Sequence, residues 1–571
     1  MDRMPQPWDY LVVTASNAAQ ADSYERQLRL RRETGLLSQA REVLVVPDPG
    51  DRRAGSGGST LFCLADIINR QQLPDAGTSA NQPLPEDVLR RLRILIIHAG
   101  GDSKRLPAYG PCGKLFVPLP GETCSAPGWT LFDRMASTLL SLPAGEQGGG
   151  QVVVASGDAL LLFDPDAFQP APGGVTALGS YAQPEAARRH GVFSVAGDGT
   201  LRLYLQKPSP EEQQRMGAVD RSQRSVLDLG LMSFDAATAA AWLKAFDFGY
   251  GPDAAFGCTA AMREEILGRG LDLYREICCA MGAEATLEHY LGATRASGSS
   301  WGEQVLAALF PALHRVPMRV SVARRCGFLH FGTTRQLVES GLALLEHDQG
   351  AAPASSRVIV NCEVGSGVAV TGSGAWIEGC RIQAPVSFGG GNVLVGVDVT
   401  EPLALPAEAC LDVWPGSSRH GTPVCFVRCH GFRDAFKDKV GAGALFCGKP
   451  LLEWLGVVGA KPEDVWSGDV PLEDRTLWEA RVFPAERSSA EYRNWLWMYE
   501  PGSATAAQRL AWLAADRYSA DEIALRSDQS AFYDRRAAIR EKAVPPACRA
   551  GSPRRPEPGT QRRALPPRRR R

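Results

Sequence analysis

The sequence has no apolar run approaching the eighteen or so residues that a membrane-crossing helix needs. Its first residues, MDRMPQPWDYLVVTASN, lack the cationic stretch and apolar core of a secretory signal. Both absences lead us to expect a cytoplasmic protein with no membrane partner. Charge of one sign is missing too: 62 Lys and Arg against 63 Asp and Glu leave a net charge of −1. Such a chain has no overall attraction for nucleic acid or an acidic surface, so any anion binding must be local. The fourteen cysteines contain no C-x-x-C. The closest groupings, Cys278-Cys279 and Cys425…Cys429-His430, lack the two further ligands that a zinc site needs, and reduced, buried thiols are expected. There is no G-K-[ST] phosphate loop and no third glycine opening a helix after a G-x-G, which excludes the common NTPase and dinucleotide fingerprints. No Ser-His-Asp or Cys-His arrangement stands out.

What is present is an ordinary globular composition, 44% hydrophobic and 22% charged, in a chain of 571 residues that is too long for one core. From Tyr10 to about Leu345, short aliphatic runs alternate with amphipathic stretches. Strands are expected at 10–16, 42–48, 93–99, 151–157, 175–181 and 201–207, and helices at 19–33, 60–71, 130–142 and 236–246. This alternation predicts an α/β layer on a mostly parallel sheet, and runs such as ILII and VVVA fit strands buried on both faces. Near residue 357 the texture becomes Gly-rich and β-branched. Val358, Val360, Val364, Val368, Val370, Ile377, Ile382, Val386, Val393 and Val395 recur every few residues. They read as turns of a parallel β-helix, with a Gly-rich antiparallel domain as the alternative. Beyond about 450 the chain is Trp-rich and reads as helical. Residues 544–571 are rich in Arg and Pro without apolar periodicity and read as a disordered tail. The division expected is 1–350, 351–450, 451–543 and 544–571.

The segment RILIIHAGGDSKRLPAYGPCGKLFVPLP (93–120) leaves a buried strand through Gly100-Gly101 and then presents Lys104, Arg105 and Lys114. Backbone N–H groups bared by glycine, followed by spaced cations, suit a polyphosphate past the carboxyl end of a strand. Arg105 could grip phosphates bidentately and Lys114 act as a point charge. A tight turn with surface cations is the plainer alternative. A second glycine loop, GSGGST (55–60), follows a strand and precedes a helical run. Gly55, Gly57 and Gly58 could add N–H donors there, with Ser59 or Thr60 as helix cap; a flexible linker would look the same. VVVASGDALL (152–161) ends a strand in Gly157-Asp158. Asp158 is placed as a Mg²⁺ ligand or, equally by spacing, as the N-cap of a helix over ALLLFD. His190 in RRHGVFSV could contact sugar or phosphate, or be structural. Lys207 in LYLQKPS could hold a second phosphate, or be a solvated turn lysine.

HAGGDSKRLP…GKLFVP resembles the signature of sugar-1-phosphate nucleotidyltransferases. With GSGGST, ASGD, HGVF, LQKPS and HFGTTRQL (330–337), the chain resembles the GDP-L-fucose pyrophosphorylase family over roughly residues 10 to 540. The resemblance implies a GT-A-like α/β nucleotidyltransferase followed by a left-handed parallel β-helix and a helical C-terminal region. It implies formation of GDP-L-fucose and pyrophosphate from GTP and L-fucose 1-phosphate with Mg²⁺. By that resemblance Gly100, Gly101, Arg105 and Lys114 hold the triphosphate beside Gly55, Gly57 and Gly58. Asp158 binds metal, and Lys207, with His190 and Asp228, meets the sugar phosphate. Two departures stand out. Gln206-Lys207-Pro208 replaces the more usual E-K-P, and Asp228 occurs where relatives often carry Asn. Bifunctional relatives continue into a sugar kinase, but no kinase phosphate loop follows residue 450, so kinase activity is expected to be absent. Rival expectations are a UTP-dependent relative, a non-catalytic nucleotide-sugar binder, and nucleic-acid binding through the Arg-rich tail. Assembly through the β-helix is possible.

Overall fold

The computed structural model describes residues 6–71, 82–101, 103–121, 128–145, 149–350 and 356–543. The Arg- and Pro-rich segment 544–571 lies outside the described residues. Among the described residues no helix is long and apolar enough to cross a membrane.

The N-terminal part is built on a mixed sheet. Its strands are β1 (Trp8–Ala15), β2 (Ala40–Pro47), β3 (Arg93–His98), β4 (Gln151–Ser156), β6 (Val175–Ala182) and β9 (Ser225–Phe234), with Met318–Ala323 at one edge. Between β4 and β6 lies a short strand, β5 (Ala159–Leu162), and a hairpin of β7 (Gly191–Val195) and β8 (Leu201–Gln206) joins through β9. The order across the sheet is Met318–Ala323, β6, β9, β4, β3, β1, β2. β1 runs parallel to β2 and β3, β3 to β4, and Met318–Ala323 to β6. The sheet is less uniformly parallel than expected, because β9 runs against β4, β6 and β7. The 201–207 segment is accordingly one arm of an antiparallel hairpin. Ile94 to Ile97 are fully buried, as a strand covered on both faces requires.

Helices α1 (Ala18–Glu33) and α2 (Gly55–Arg70) connect β1 to β2 and β2 towards β3. The expected helices at 130–142 and 236–246 appear as Leu131–Leu139 and Ala236–Ala245. ALLLFD does not form a helix. Its first four residues are β5, pairing antiparallel with Gly327–His330, so Asp158 has no helix to cap.

From Arg357 the chain coils through three parallel ladders. One contains Arg357–Val360, Ala375–Glu378, Asn392–Val395 and Ala409–Ser417. The second holds Glu363–Val364, Arg381–Ile382 and Asp398–Val399; the third holds Val370–Thr371, Val386–Phe388 and Leu403–Leu405. Each circuit adds one strand to each ladder, and the antiparallel alternative fails. Ile377, Leu394 and Leu411 lie in register and fully buried, while Val364 at the first circuit is 41% exposed.

The region after 450 is less purely helical than its composition implies. Phe483–Glu486 and Arg517–Tyr518 continue antiparallel from Pro423–Gly431, the strand before it that extends the first ladder, and Ser489–Tyr499 is a 3₁₀ helix rather than an α-helix. A final helix, Gln529–Ala543, returns to the coil.

Candidate functional site

Two neighbouring parallel strands place the site. β3 and β4 pair so that His98 stands opposite Ser156, and their carboxyl ends release Ala99-Gly100-Gly101 and Gly157-Asp158 side by side. The Gly157 N–H donates to His98 O at 2.8 Å, and a Cβ on residue 157 would stand 2.4 Å from that same oxygen. Glycine is therefore what lets the two loops approach closely. The chain returns from the first loop through Gly113, at φ +70°, into a 3₁₀ turn that begins with Lys114.

Lys114 Nζ lies 3.4 Å from Asp158 Oδ2. Asp158 Oδ1 accepts from Ser156 Oγ at 3.0 Å and is 3.1 Å from His330 Nε2. His330 is delivered by strand pairing, since it faces Ala159 in the β5 ladder. Burial alone would raise the Asp158 pKa, but the hydrogen bond and charge of His330, with Lys114 and Ser156, hold it well below the carboxylate range. Burial lowers the Lys114 pKa against the pull of Asp158, and the charges of Arg105 and Arg53 push it down further. Arg105 itself is exposed, and its carbonyl accepts from Thr334 N at 2.9 Å.

Beside this cluster opens a cavity of about 170 Å³ whose lining includes Asp158, His190, Tyr204, Lys207, Asp228 and His330. Lys207 is exposed at φ +52°, and its N–H donates to His190 O at 3.0 Å. Burial, with the neighbouring His330, Lys207 and Arg189, pushes the His190 pKa down to about 4. His190 is thus a neutral hydrogen-bonding group at neutral pH rather than a cation. Asp228 is buried, accepting from Tyr204 Oη at 2.9 Å and from Gly230 N at 2.8 Å. Burial outweighs both bonds and pushes its pKa up to about 6.

The second glycine loop behaves differently from expectation. Gly55, Gly57 and Gly58 are not in a loop but in the first turns of α2. The N–H groups of Gly57 and Gly58 both donate to Leu271 O, at 2.8 and 3.2 Å, so neither is held out for a phosphate. A Cβ on Gly55 would lie 2.4 Å from Leu271 O. These glycines let a helix start pack against the 271 turn, which is a backbone reason invisible in spacing. Ser59 does not cap the helix but donates to Asp48 at 2.6 Å, and Thr60 Oγ1 meets His98 Nε2 at 3.0 Å. In the first loop, the Gly100 N–H is directed at Thr14 Oγ1, 3.3 Å away, while Gly101 has φ +137° and open space where a Cβ would be.

The structure thus brings Lys114, Asp158, His190, Lys207 and Asp228 together. Reading residue by residue missed His330, Tyr204 and Arg189. His330 heads the HFGTTRQL motif and Arg189 precedes His190, so both carried a signal. Tyr204 sits inside a strand and carried none.

The family model for the fucose pyrophosphorylase domain matches residues 86–488. The chain belongs to this family. A bifunctional fucokinase/GDP-fucose pyrophosphorylase of Arabidopsis thaliana is 27% identical over 559 residues, covering 90% of this chain and 50% of the relative. An L-fucokinase/L-fucose-1-P guanylyltransferase of Bacteroides fragilis is 25% identical, covering 86% of this chain and 48% of the relative. A fucose-1-phosphate guanylyltransferase of Mus musculus is 25% identical over 531 residues, covering 85% of both. The chain thus spans about half the length of the two bifunctional relatives. In the fucose pyrophosphorylase family match, Arg105, Lys114, Asp158, His190, Lys207, Asp228 and His330 all fall within the matched span.

Proposed function

We propose that the chain forms GDP-L-fucose and pyrophosphate from GTP and L-fucose 1-phosphate. The observation that carries this reading is Lys114 held against Asp158 at the edge of a cavity that also contains Lys207 and His190. The names of the relatives supply the substrate class. A phosphate oxygen of the sugar 1-phosphate, already ionised near neutral pH, attacks the α-phosphorus of GTP in line with departing pyrophosphate. No general base is required. Arg105 and Lys114 offset the negative charge that accumulates, while Lys207 and the neutral His190 meet the sugar phosphate and the Asp228 carboxylate accepts from a sugar hydroxyl beside it.

Asp158 suits one monodentate Mg²⁺ contact. Ser156 and His330 occupy Oδ1, while among the described residues Oδ2 meets only Lys114, so a lone pair remains there. Among the described residues no cluster of three or more His, Cys, Asp or Glu forms a dedicated cage, and Mg²⁺ commonly completes its shell with phosphates and water. Bound there, the ion would neutralise triphosphate charge. The reading carries with it a GT-A-like N-terminal domain over 1–350, a left-handed β-helix over 351–450 and a C-terminal region over 451–543.

Pyrophosphate release with Mg²⁺ tests it, comparing GTP plus L-fucose 1-phosphate, UTP plus glucose 1-phosphate, and ATP plus free L-fucose followed by ADP. Release with the first pair is expected. Protein that binds GTP yet releases nothing with any pair is a binder, and the proposal fails.

A further inference from the structure

The loop between the two triphosphate cations is held from the far end of the chain. Leu106, Ala108, Tyr109 and Cys112 are all fully buried, although they lie between exposed Arg105 and partly buried Lys114. The Tyr109 hydroxyl accepts from Trp376 Nε1 at 2.8 Å and donates to Glu378 Oε2 at 3.3 Å. Glu378, with no exposed surface, receives Arg536 in a two-pronged pair, Nε to Oε1 at 2.7 Å and Nη2 to Oε2 at 2.5 Å. Arg536 belongs to the final helix. That helix also sends Gln529 Nε2 to Pro111 O and stacks Phe532 on Trp414, whose indole donates to Ala108 O at 2.9 Å.

An ion pair buried this completely is weak evidence for stability, since desolvation costs about as much as the pair returns. Its geometry is more informative. Glu378, which also accepts from Asn361 Nδ2 at 3.2 Å, joins Arg536 to Tyr109 of the turn Pro107–Tyr109; Trp414 holds the same turn at Ala108, and none of these side chains lines the cavity. A buried hydroxyl fixed by a donor and an acceptor allows its turn one position. We propose that the Arg536–Glu378–Tyr109 relay is a positioning element. It sets the spacing of Arg105 and Lys114, so that the coil and last helix act on the rate of nucleotidyl transfer without touching substrate. The inference rests on the reading of Arg105 and Lys114 given above.

The test compares Tyr109→Phe, Arg536→Leu and Arg536→Lys with wild type, measuring pyrophosphate release well below the melting transition and amide hydrogen exchange across 104–117. Displacing reacting groups by about 1 Å costs up to roughly 100-fold in rate. Arg536→Leu is therefore expected to lower kcat roughly 10- to 100-fold, with KM for GTP within about threefold and faster exchange in 104–117. Tyr109→Phe, which keeps the ring, should lower kcat less, and Arg536→Lys should restore part of the loss. Folded variants with unchanged kcat, even if their Tm falls, would show a merely structural pair and overturn the proposal. If wild type releases no pyrophosphate, the catalytic reading falls on its own. The exchange measurement then decides the relay, and unchanged exchange in Arg536→Leu and Tyr109→Phe overturns it.

Discussion

Lys114 and Asp158 reach each other from two loops that are 44 residues apart in sequence, with Nζ 3.4 Å from Oδ2. The contact is long for a salt bridge, and both side chains retain some exposure, 19% and 26%. A long, partly buried pair is a poor source of stability, because desolvation offsets what the pair returns. It suits the role proposed above, in which Lys114 turns from Asp158 toward phosphate when substrate binds.

Lys114→Ala should therefore lower kcat far more than it weakens GTP binding. Removal of one contact made chiefly in the transition state costs roughly 10²–10³ in rate. Steady-state kinetics paired with equilibrium GTP titration separates the two effects. An unchanged kcat would remove Lys114 from the chemistry.

Gly113 sets the direction of that lysine. Its φ of +70° disfavours any L side chain, and a Cβ there would stand 2.0 Å from Tyr24 Oη, whose hydroxyl donates to Ala99 O at 3.1 Å. Gly113→Ala should destabilise the fold by about 1–3 kcal/mol, combining backbone strain with overpacking. Adding Tyr24→Phe relieves only the clash with the oxygen and should recover part of the loss. Denaturant unfolding of the single and double variants measures both terms, and a Gly113→Ala midpoint equal to wild type would refute the argument.

Asp228 gives a pH dependence whose sign follows from burial. Its folded pKa, near 6, lies above the ordinary value of 3.8. The folded state therefore holds the proton more tightly than the unfolded chain. The associated stability is fully present below about pH 4 and is lost as pH rises through 6. Between pH 4.5 and 8 the loss is about 2 kcal/mol. Asp228→Asn removes it, so the variant should gain stability relative to wild type as pH rises across that window. Parallel stability–pH curves for the two proteins would contradict the assignment.

Where the fold gathers these residues was legible in part, because glycines and charges at a strand exit leave local marks. Gly100-Gly101 with Arg105 and Lys114, Gly157-Asp158, and His190 and Lys207 at strand ends are each readable where strand meets loop. Gly55, Gly57 and Gly58 misled because a glycine needed for close helix packing against Leu271 has the same sequence as one that bares its N–H groups. The alternative for Asp158 as a helix cap could not be resolved locally. The strand that excludes it pairs with Gly327–His330, and no window around residue 158 contains that partner. Tyr204 was hidden for the same reason, its role arising only when β8 lies beside β9 through β7. The reversal of β9 is likewise a tertiary fact, as an apolar strand does not declare its direction.

Lys207 offers the sharpest separation between the two substrates of the proposed reaction. It is exposed, its backbone at φ +52° donates its N–H to His190 O, and it lines the cavity together with His190. A lysine–phosphate contact is a charge-assisted hydrogen bond, and such bonds contribute about 1.5–3 kcal/mol. Lys207→Ala should raise KM for the sugar 1-phosphate by roughly 10- to 100-fold. KM for GTP should stay near its wild-type value, because in the proposed reaction Lys207 meets the sugar phosphate and not the triphosphate. Initial rates with each substrate varied in turn decide the matter. A rise in KM for GTP instead would move Lys207 to the triphosphate and shift the sugar phosphate toward His330.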